Sequence, residues 1–301
     1  MSNDDNFRIF EYFKKYDHDI KSIGKVLGQG SFGQVRDIEM SINKTCAGKL
    51  IQKRKGQKLE EEKFGIILRG RNIININKII QITIDKKDYD LIIMEKANNS
   101  DINKINKLFY HNKLLKIIYN PFHEFIGDNL LRFYSKQIIN ALELLDRNYY
   151  VHNDIKPQNI LIASNLNIKL SDFSLLRKVQ DKPTIIPGGT PGYLSPEYYI
   201  NKEVDSEIAR KQDYFALGAT LYFLKYGKYM LNSGIYINNE KIIIADEIIK
   251  LLEQNKDNIK SGKISDGEFI KFLCSLIEFK PEDRPCFEEI YRNIWLNNNS
   301  E

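Results

Sequence analysis

The sequence predicts an α+β chain: strands in its first third and helices through most of the rest. Three observations carry this. Apolar runs rich in Ile, Val and Leu alternate or cluster between residues 23 and 94, apolar residues recur at helical spacing from Asp128 onward, and three closely spaced glycines interrupt the first β pattern. At 301 residues the chain is longer than a usual single domain and suits one two-lobed unit. Its 42% hydrophobic and 11% aromatic content is ample for a packed core and unlike a disordered chain.

Residues 1–20 read as a polar arm or short helix with Phe7, Phe10, Phe13 and Tyr16 at every third position, and nothing catalytic is expected there. A β pattern then starts at Ile23 and enters Leu27-Gly28-Gln29-Gly30-Ser31-Phe32-Gly33-Gln34-Val35. Glycines at this spacing let the backbone approach phosphates and offer amide N–H groups to them. Dinucleotide-binding folds share the spacing, but they need a helix at the last glycine and an acidic residue about 20 positions on. Here a second β pattern follows, and Cys46-Ala47-Gly48-Lys49-Leu50-Ile51 supplies a lysine instead.

Glu60, Glu61 and Glu62 lie on a helical stretch weakened by Gly65 and Gly70. Ile73–Ile84 and Leu91–Met94 read as strands around a turn at Asp85–Asp88. Residues 103–127 are polar and rich in Lys and Asn, with scattered aromatics. From Asp128, expected as an N-cap, the positions Leu130, Tyr134, Ile138, Ala141, Leu142 and Leu145 predict a helix. Tyr214–Leu224 reads as a buried helix, and further helical patterns occupy Ile242–Leu252, Phe269–Ile277 and Phe287–Trp295.

The chemistry concentrates in Val151-His-Asn-Asp-Ile-Lys-Pro-Gln-Asn-Ile-Leu161, where Asp154, Lys156 and Asn159 share a short loop flanked by apolar residues. A second apolar run ends in Ser171-Asp172-Phe173-Ser174, and two strands joined by a turn would bring Asp154 and Asp172 to one edge. A carboxylate, an ammonium and metal-binding oxygens at one place suit metal-assisted phosphoryl transfer. With the glycine motif, Lys49 and Gly189-Thr-Pro-Gly-Tyr-Leu-Ser-Pro-Glu197, these segments resemble the eukaryotic protein kinases, serine/threonine type, over nearly the whole chain.

That resemblance implies a small β-rich lobe, about 21–95, and a larger helical lobe, about 96–296, with ATP and Mg2+ in the cleft and residues 297–301 as a tail. It makes Asp154 the group that orients or deprotonates the substrate hydroxyl, and Lys156 the cation that neutralises the transferred phosphoryl group. Thr190 would bond Asp154 and Lys156, and Asn159 and Asp172 would hold magnesium. Lys49 would bind the α- and β-phosphates with Glu62 as its partner, although Glu60 and Glu61 stay open. The nucleotide would meet Leu27, Gly28, Gln29, Gly30, Ser31, Phe32, Gly33, Val35 and Ala47, the hinge residues Met94, Glu95 and Ala97, the ribose-binding Asp101, and Leu161. Glu197 is expected to pair with Arg284, and Asp213, at the head of its helix, to anchor the catalytic loop.

The sequence departs from the family at Asn153, where an arginine usually receives an activation-segment phosphate, and at Ser174, where a glycine is usual. Activity independent of Thr184 phosphorylation is therefore expected. Gln158 and Phe223 stand where kinases favouring upstream basic residues often carry acids, so at most a weak basophilic preference is expected. Two rival readings remain: a pseudokinase scaffold that binds nucleotide without transfer, and a small-molecule kinase. The expected partner is a protein with a Ser or Thr acceptor. The spread net charge of +5 argues against nucleic acid, and no run reaches the ~20 apolar residues of a membrane span. Three unpaired-looking cysteines and no secretory pattern suit a cytoplasmic, reducing compartment, with the nucleus left open, and the oligomeric state is unread.

Overall fold

The computed structural model describes residues 3–30, 33–53, 68–97, 101–104, 126–179, 183–185, 187–200, 203–227, 229–230, 237–238, 241–242 and 267–297. Glu60, Glu61, Glu62, Ser31 and Phe32, nearly all of the 103–127 stretch and the expected helix from Ile242 fall outside these residues or extend beyond them. The chain forms two compact units, Met1–Asn98 and Asn99–Glu301.

The first unit is helix α1 (Asn3–Tyr16) and a five-stranded antiparallel sheet of β1 (Ile20–Gly30), β2 (Gly33–Met40), β3 (Thr45–Gln52), β4 (Ile76–Ile84) and β5 (Lys87–Glu95), in the order β1-β2-β3-β5-β4. Strand alternation sends successive side chains to opposite faces. Ile38, Cys46, Leu50, Leu91 and Ile93 therefore pack on one face with Ile9, Phe10 and Phe13 of α1, and Ile51, Ile76 and Ile92 build a second cluster with Met94. A side chain at Gly48 would meet Ile38 Cγ1 at 2.7 Å, so the first face closes only around glycine. Lys49, one residue from Leu50, points away from α1 and is buried.

Residues 1–20 are thus not a separate arm. The buried stripe is Asn6, Ile9, Phe10 and Phe13, spaced at three and four, while Tyr16 is 67% exposed. The β4–β5 turn is also tighter than expected. Asp85 and Lys86 have φ of 48° and 63°, and β5 already begins at Lys87, which is the two-residue hairpin with left-handed central residues.

The second unit is mainly helical: α2 (Asp128–Arg147), α3 (Pro196–Ile200), α4 (Ser206–Tyr226), α5 (Gly267–Leu276), α6 (Phe287–Tyr291) and α7 (Ile294–Asn297). Short antiparallel pairs punctuate it, with β6 (Tyr150–Val151) pairing β9 (Arg177–Lys178) and β7 (Ile160–Ile162) pairing β8 (Ile168–Leu170). Three sequence expectations are corrected. Gly127, not Asp128, is the N-cap of α2, and the Asp128 carboxylate instead pairs with the buried Lys225 of α4. Leu130 faces solvent while Leu131 enters the core. Asp213 does not head α4: the helix starts at Ser206 on the Asp205 side-chain cap, whose Oδ1 accepts from Ile208 N at 2.8 Å.

Apolar packing closes this unit around the middle of α4, where Phe215, Leu217 and Leu221 are fully buried. Phe269 and Phe272 of α5 lie against Trp295 of α7 at ring distances of 4.9 and 5.6 Å. Arg132 of α2 crosses the same ring and donates to the Trp295 carbonyl at 2.7 Å.

Candidate active site

The loop between β6 and β7 is a short chain of backbone constraints. Asp213 Oδ2 and Oδ1 accept the amide N–H groups of His152 and Asn153 at 2.7 and 3.0 Å. The Asp154 amide donates to His152 Nδ1 at 3.2 Å, which leaves His152 Nε2 to carry the ring proton toward Ser171 O at 3.1 Å. Burial pushes the His152 ring below its ordinary pKa, in keeping with that neutral form. Burial also pushes Asp213 up to about 7, against the two amides, which pull it down.

Held this way, Asp154 sits 4% exposed at the centre of a closed set. Its Oδ1 accepts from Thr190 Oγ1 at 2.7 Å, and its Oδ2 accepts from Lys156 Nζ at 2.6 Å and from Asn159 Nδ2 at 2.9 Å. Lys156 Nζ also donates to Thr190 Oγ1 at 2.6 Å. Asn159 is fixed from behind, because its Nδ2 also reaches the Asp154 carbonyl at 2.8 Å and its own carbonyl accepts from Ser171 N and Oγ. The β7–β8 pair then carries the chain to Asp172, whose backbone is left-handed with φ 63°. Ser174 Oγ donates to Asp172 Oδ1 at 2.7 Å.

The protein kinase domain family matches residues 22–296. The chain belongs to the protein kinase family. Its sheet-bearing first unit and helical second unit are the two lobes of that fold. Human rhodopsin kinase is 32% identical over 210 residues, covering 66% of this chain and 34% of the relative. The hormonally up-regulated neu tumor-associated kinase homolog of Xenopus tropicalis is 27% identical over 307 residues, covering 98% and 40%. An Aurora kinase of Saccharomyces cerevisiae is 28% identical over 294 residues, covering 95% and 72%. This kinase chain therefore spans about a third of the length of the rhodopsin kinase it matches.

The structure brings Asp154, Lys156, Asn159 and Thr190 together in the second unit and places Lys49 and the glycine hairpin in the first. Gly33, with φ 143°, admits only glycine, since a Cβ would stand 1.9 Å from Leu50 O, whereas a Cβ on Gly28 would enter open space. Lys49 lies opposite Val35 and Ile92 in the ladder, and Ala47 lies opposite Met94. Glu95 is tied to Asn75 by its amide at 2.9 Å and by its carboxylate at 2.7 Å. Asp101 forms an isolated bridge with Leu161, and its carboxylate caps residues 102–104 by accepting from Lys104 N at 2.9 Å.

Sequence reasoning did not find the bonds made by Asn153. Its Nδ2 reaches the carbonyls of Val151 and Leu175 at 3.2 and 2.9 Å, from a backbone with φ 66°. Asparagine tolerates that conformation better than most side chains, and this is the one signal the sequence offered. Glu197 and Arg284 form the expected pair, bidentate at 2.6 and 2.7 Å.

Proposed function

We propose that this kinase domain is a serine/threonine protein kinase, transferring the γ-phosphate of Mg-ATP to protein hydroxyls. The observation that carries the reading is the closed hydrogen-bond set joining Asp154, Lys156, Asn159 and Thr190. A carboxylate so held has both oxygens oriented before substrate arrives, which is the preorganisation phosphoryl transfer requires.

In this reading Asp154 receives or orients the proton of the acceptor hydroxyl, and the Lys156 ammonium, already against Asp154 and Thr190, faces the charge of the moving phosphoryl group. The first unit contributes the glycine hairpin, Lys49 and the hinge residues Met94, Glu95 and Ala97 to nucleotide binding.

The donor set fits magnesium. Asn159 and Asp172 would offer it hard oxygen ligands, and magnesium is commonly held by one or two protein oxygens with nucleotide phosphates completing its shell. When bound, it neutralises phosphate charge.

Phosphoamino-acid analysis after incubation with γ-labelled Mg-ATP and generic protein substrates tests the acceptor class. Labelled serine and threonine are expected. Label found only in a small molecule would overturn the protein-kinase reading.

A further inference from the structure

We infer that Arg36 is a positioning residue for the glycine-rich hairpin, braced from behind by α1; the inference rests on the nucleotide-binding reading above. The hairpin is irregular along its first strand. β1 is an edge strand carrying Gly24, Gly28 and Gly30, and its register with β2 slips between Ile23 and Val26 and again between Val26 and Gly28. Each slip adds a residue to β1, bends the strand and weakens the ladder just before the segment that would meet phosphates.

Arg36 sits on β2 opposite Val26, between the two slips. Its Nη1 donates to the Gly24 carbonyl at 3.2 Å, inside the first irregular stretch, and its Nε donates to Gln34 Oε1 at 2.8 Å. Gln34 is itself buried and pairs with Gln29 in the ladder. One guanidinium therefore ties both strands of the hairpin together across its bulged base.

The other side of that guanidinium belongs to α1. The Arg36 Cζ lies 4.9 Å from the Phe7 ring centroid and 5.8 Å from that of Phe10. Phe10 is fully buried in the sheet core, so its position is fixed, while Phe7 covers the guanidinium at the surface. A planar fork bonded along its edge and stacked on its face is an arginine arrangement that lysine cannot reproduce. The helix that supplies this brace precedes residue 22, where the family match begins.

The test compares the full chain with Arg36→Ala, Arg36→Lys and Phe7→Ala, by amide hydrogen exchange and by steady-state kinetics with Mg-ATP. In Arg36→Ala the amides of β1 and β2 from Gly24 to Val35 exchange faster while those of β4 and β5 do not. KM for ATP rises about three- to tenfold with kcat within about twofold, the scale of one cation–π contact and two hydrogen bonds. Arg36→Lys fails to restore KM, and Phe7→Ala shows a smaller rise in the same direction. Unchanged hairpin exchange, or a parallel fall of kcat and thermal stability with no KM effect, overturns the inference. If the wild type bound no nucleotide, the nucleotide-binding reading would fall, and the exchange comparison would still decide whether Arg36 braces the hairpin.

Discussion

Asn153 donates its side-chain amide to the Leu175 carbonyl at 2.9 Å, joining the loop that carries Asp154 to the start of the following segment. That segment is held at several later points. β9 pairs with β6, Val179 N reaches Tyr149 O at 2.8 Å, and Thr184 pairs with Val204 in a short ladder. Near its end Gly189 passes so close to Asn153 O that a Cβ would stand 2.6 Å away, and Thr190 closes on Asp154. These ties are backbone and side-chain contacts that involve no phosphate, and they join the segment to the loop where an arginine–phosphate pair does so elsewhere. Thr184→Ala is therefore expected to keep phosphate transfer within about threefold of wild type. A drop below about a tenth, restored by Thr184→Glu, would contradict this.

Ser174 gives a second, metal-dependent prediction. Its hydroxyl donates to Asp172 Oδ1 and so fixes the carboxylate that is proposed to hold magnesium. A hydrogen bond to a charged group contributes about 1.5 to 3 kcal/mol when well formed, less where solvent reaches it. Ser174→Ala should raise the Mg2+ concentration for half-maximal activity by roughly three- to tenfold, with the maximal rate nearly kept. A magnesium titration identical to wild type would remove Ser174 from this role.

Asp213 should set an acid limit on activity. Its carboxylate accepts two loop amides, and burial brings its pKa up to about 7. As the pH falls through that value, a proton occupies an oxygen that had accepted an N–H group, and one anchor of the loop is lost. Activity thus declines below about pH 7. The stability contribution runs the other way: the folded chain binds this proton more tightly than an ordinary aspartate of pKa 3.8, so this group stabilises fully below that value and progressively less up to about 7. Asp213→Asn, which mimics the protonated form, should show a low rate without the acid limb. A limb unchanged in the variant would assign it to another group.

The sequence made the second unit's chemistry legible because its residues are local. Asp154, Lys156 and Asn159 fall within one loop, and their types permit few other arrangements. The pairing of Glu197 with Arg284, 87 positions apart, came through the family resemblance and not from any pattern. Helix boundaries were harder. The first turns of α4, Ser206 to Gln212, are mostly polar, so the apolar signal starts only at Tyr214. In α1 the aromatic spacing of three misled, because Ile9 rather than Tyr16 completes the buried face. The Arg36 contacts to Phe7 and Phe10 left no trace, since a cation–π contact across 29 and 26 residues follows no local period.

The Glu197–Arg284 pair should be a large single contributor to the stability of the second unit. Both groups are almost fully buried, and Arg284 also donates to the carbonyls of Glu278, Lys211 and Phe279 and stacks on Phe215. Removing one partner leaves the other charge buried and uncompensated, which costs about 3 to 5 kcal/mol. Glu197→Ala is expected to lower the denaturation midpoint accordingly, and a loss under about 1 kcal/mol would mean that water or relaxation reaches the site.

The most direct test is transfer of labelled γ-phosphate from Mg-ATP, by wild type and by Asp154→Asn, to the chain itself and to generic protein substrates. The structure's closed set around Asp154 predicts transfer by wild type and its loss by about a thousandfold or more in the variant, as for removal of a proton-handling group from preorganised machinery. Well-folded wild type that binds ATP yet transfers nothing would contradict the account and identify the chain as a nucleotide-binding scaffold.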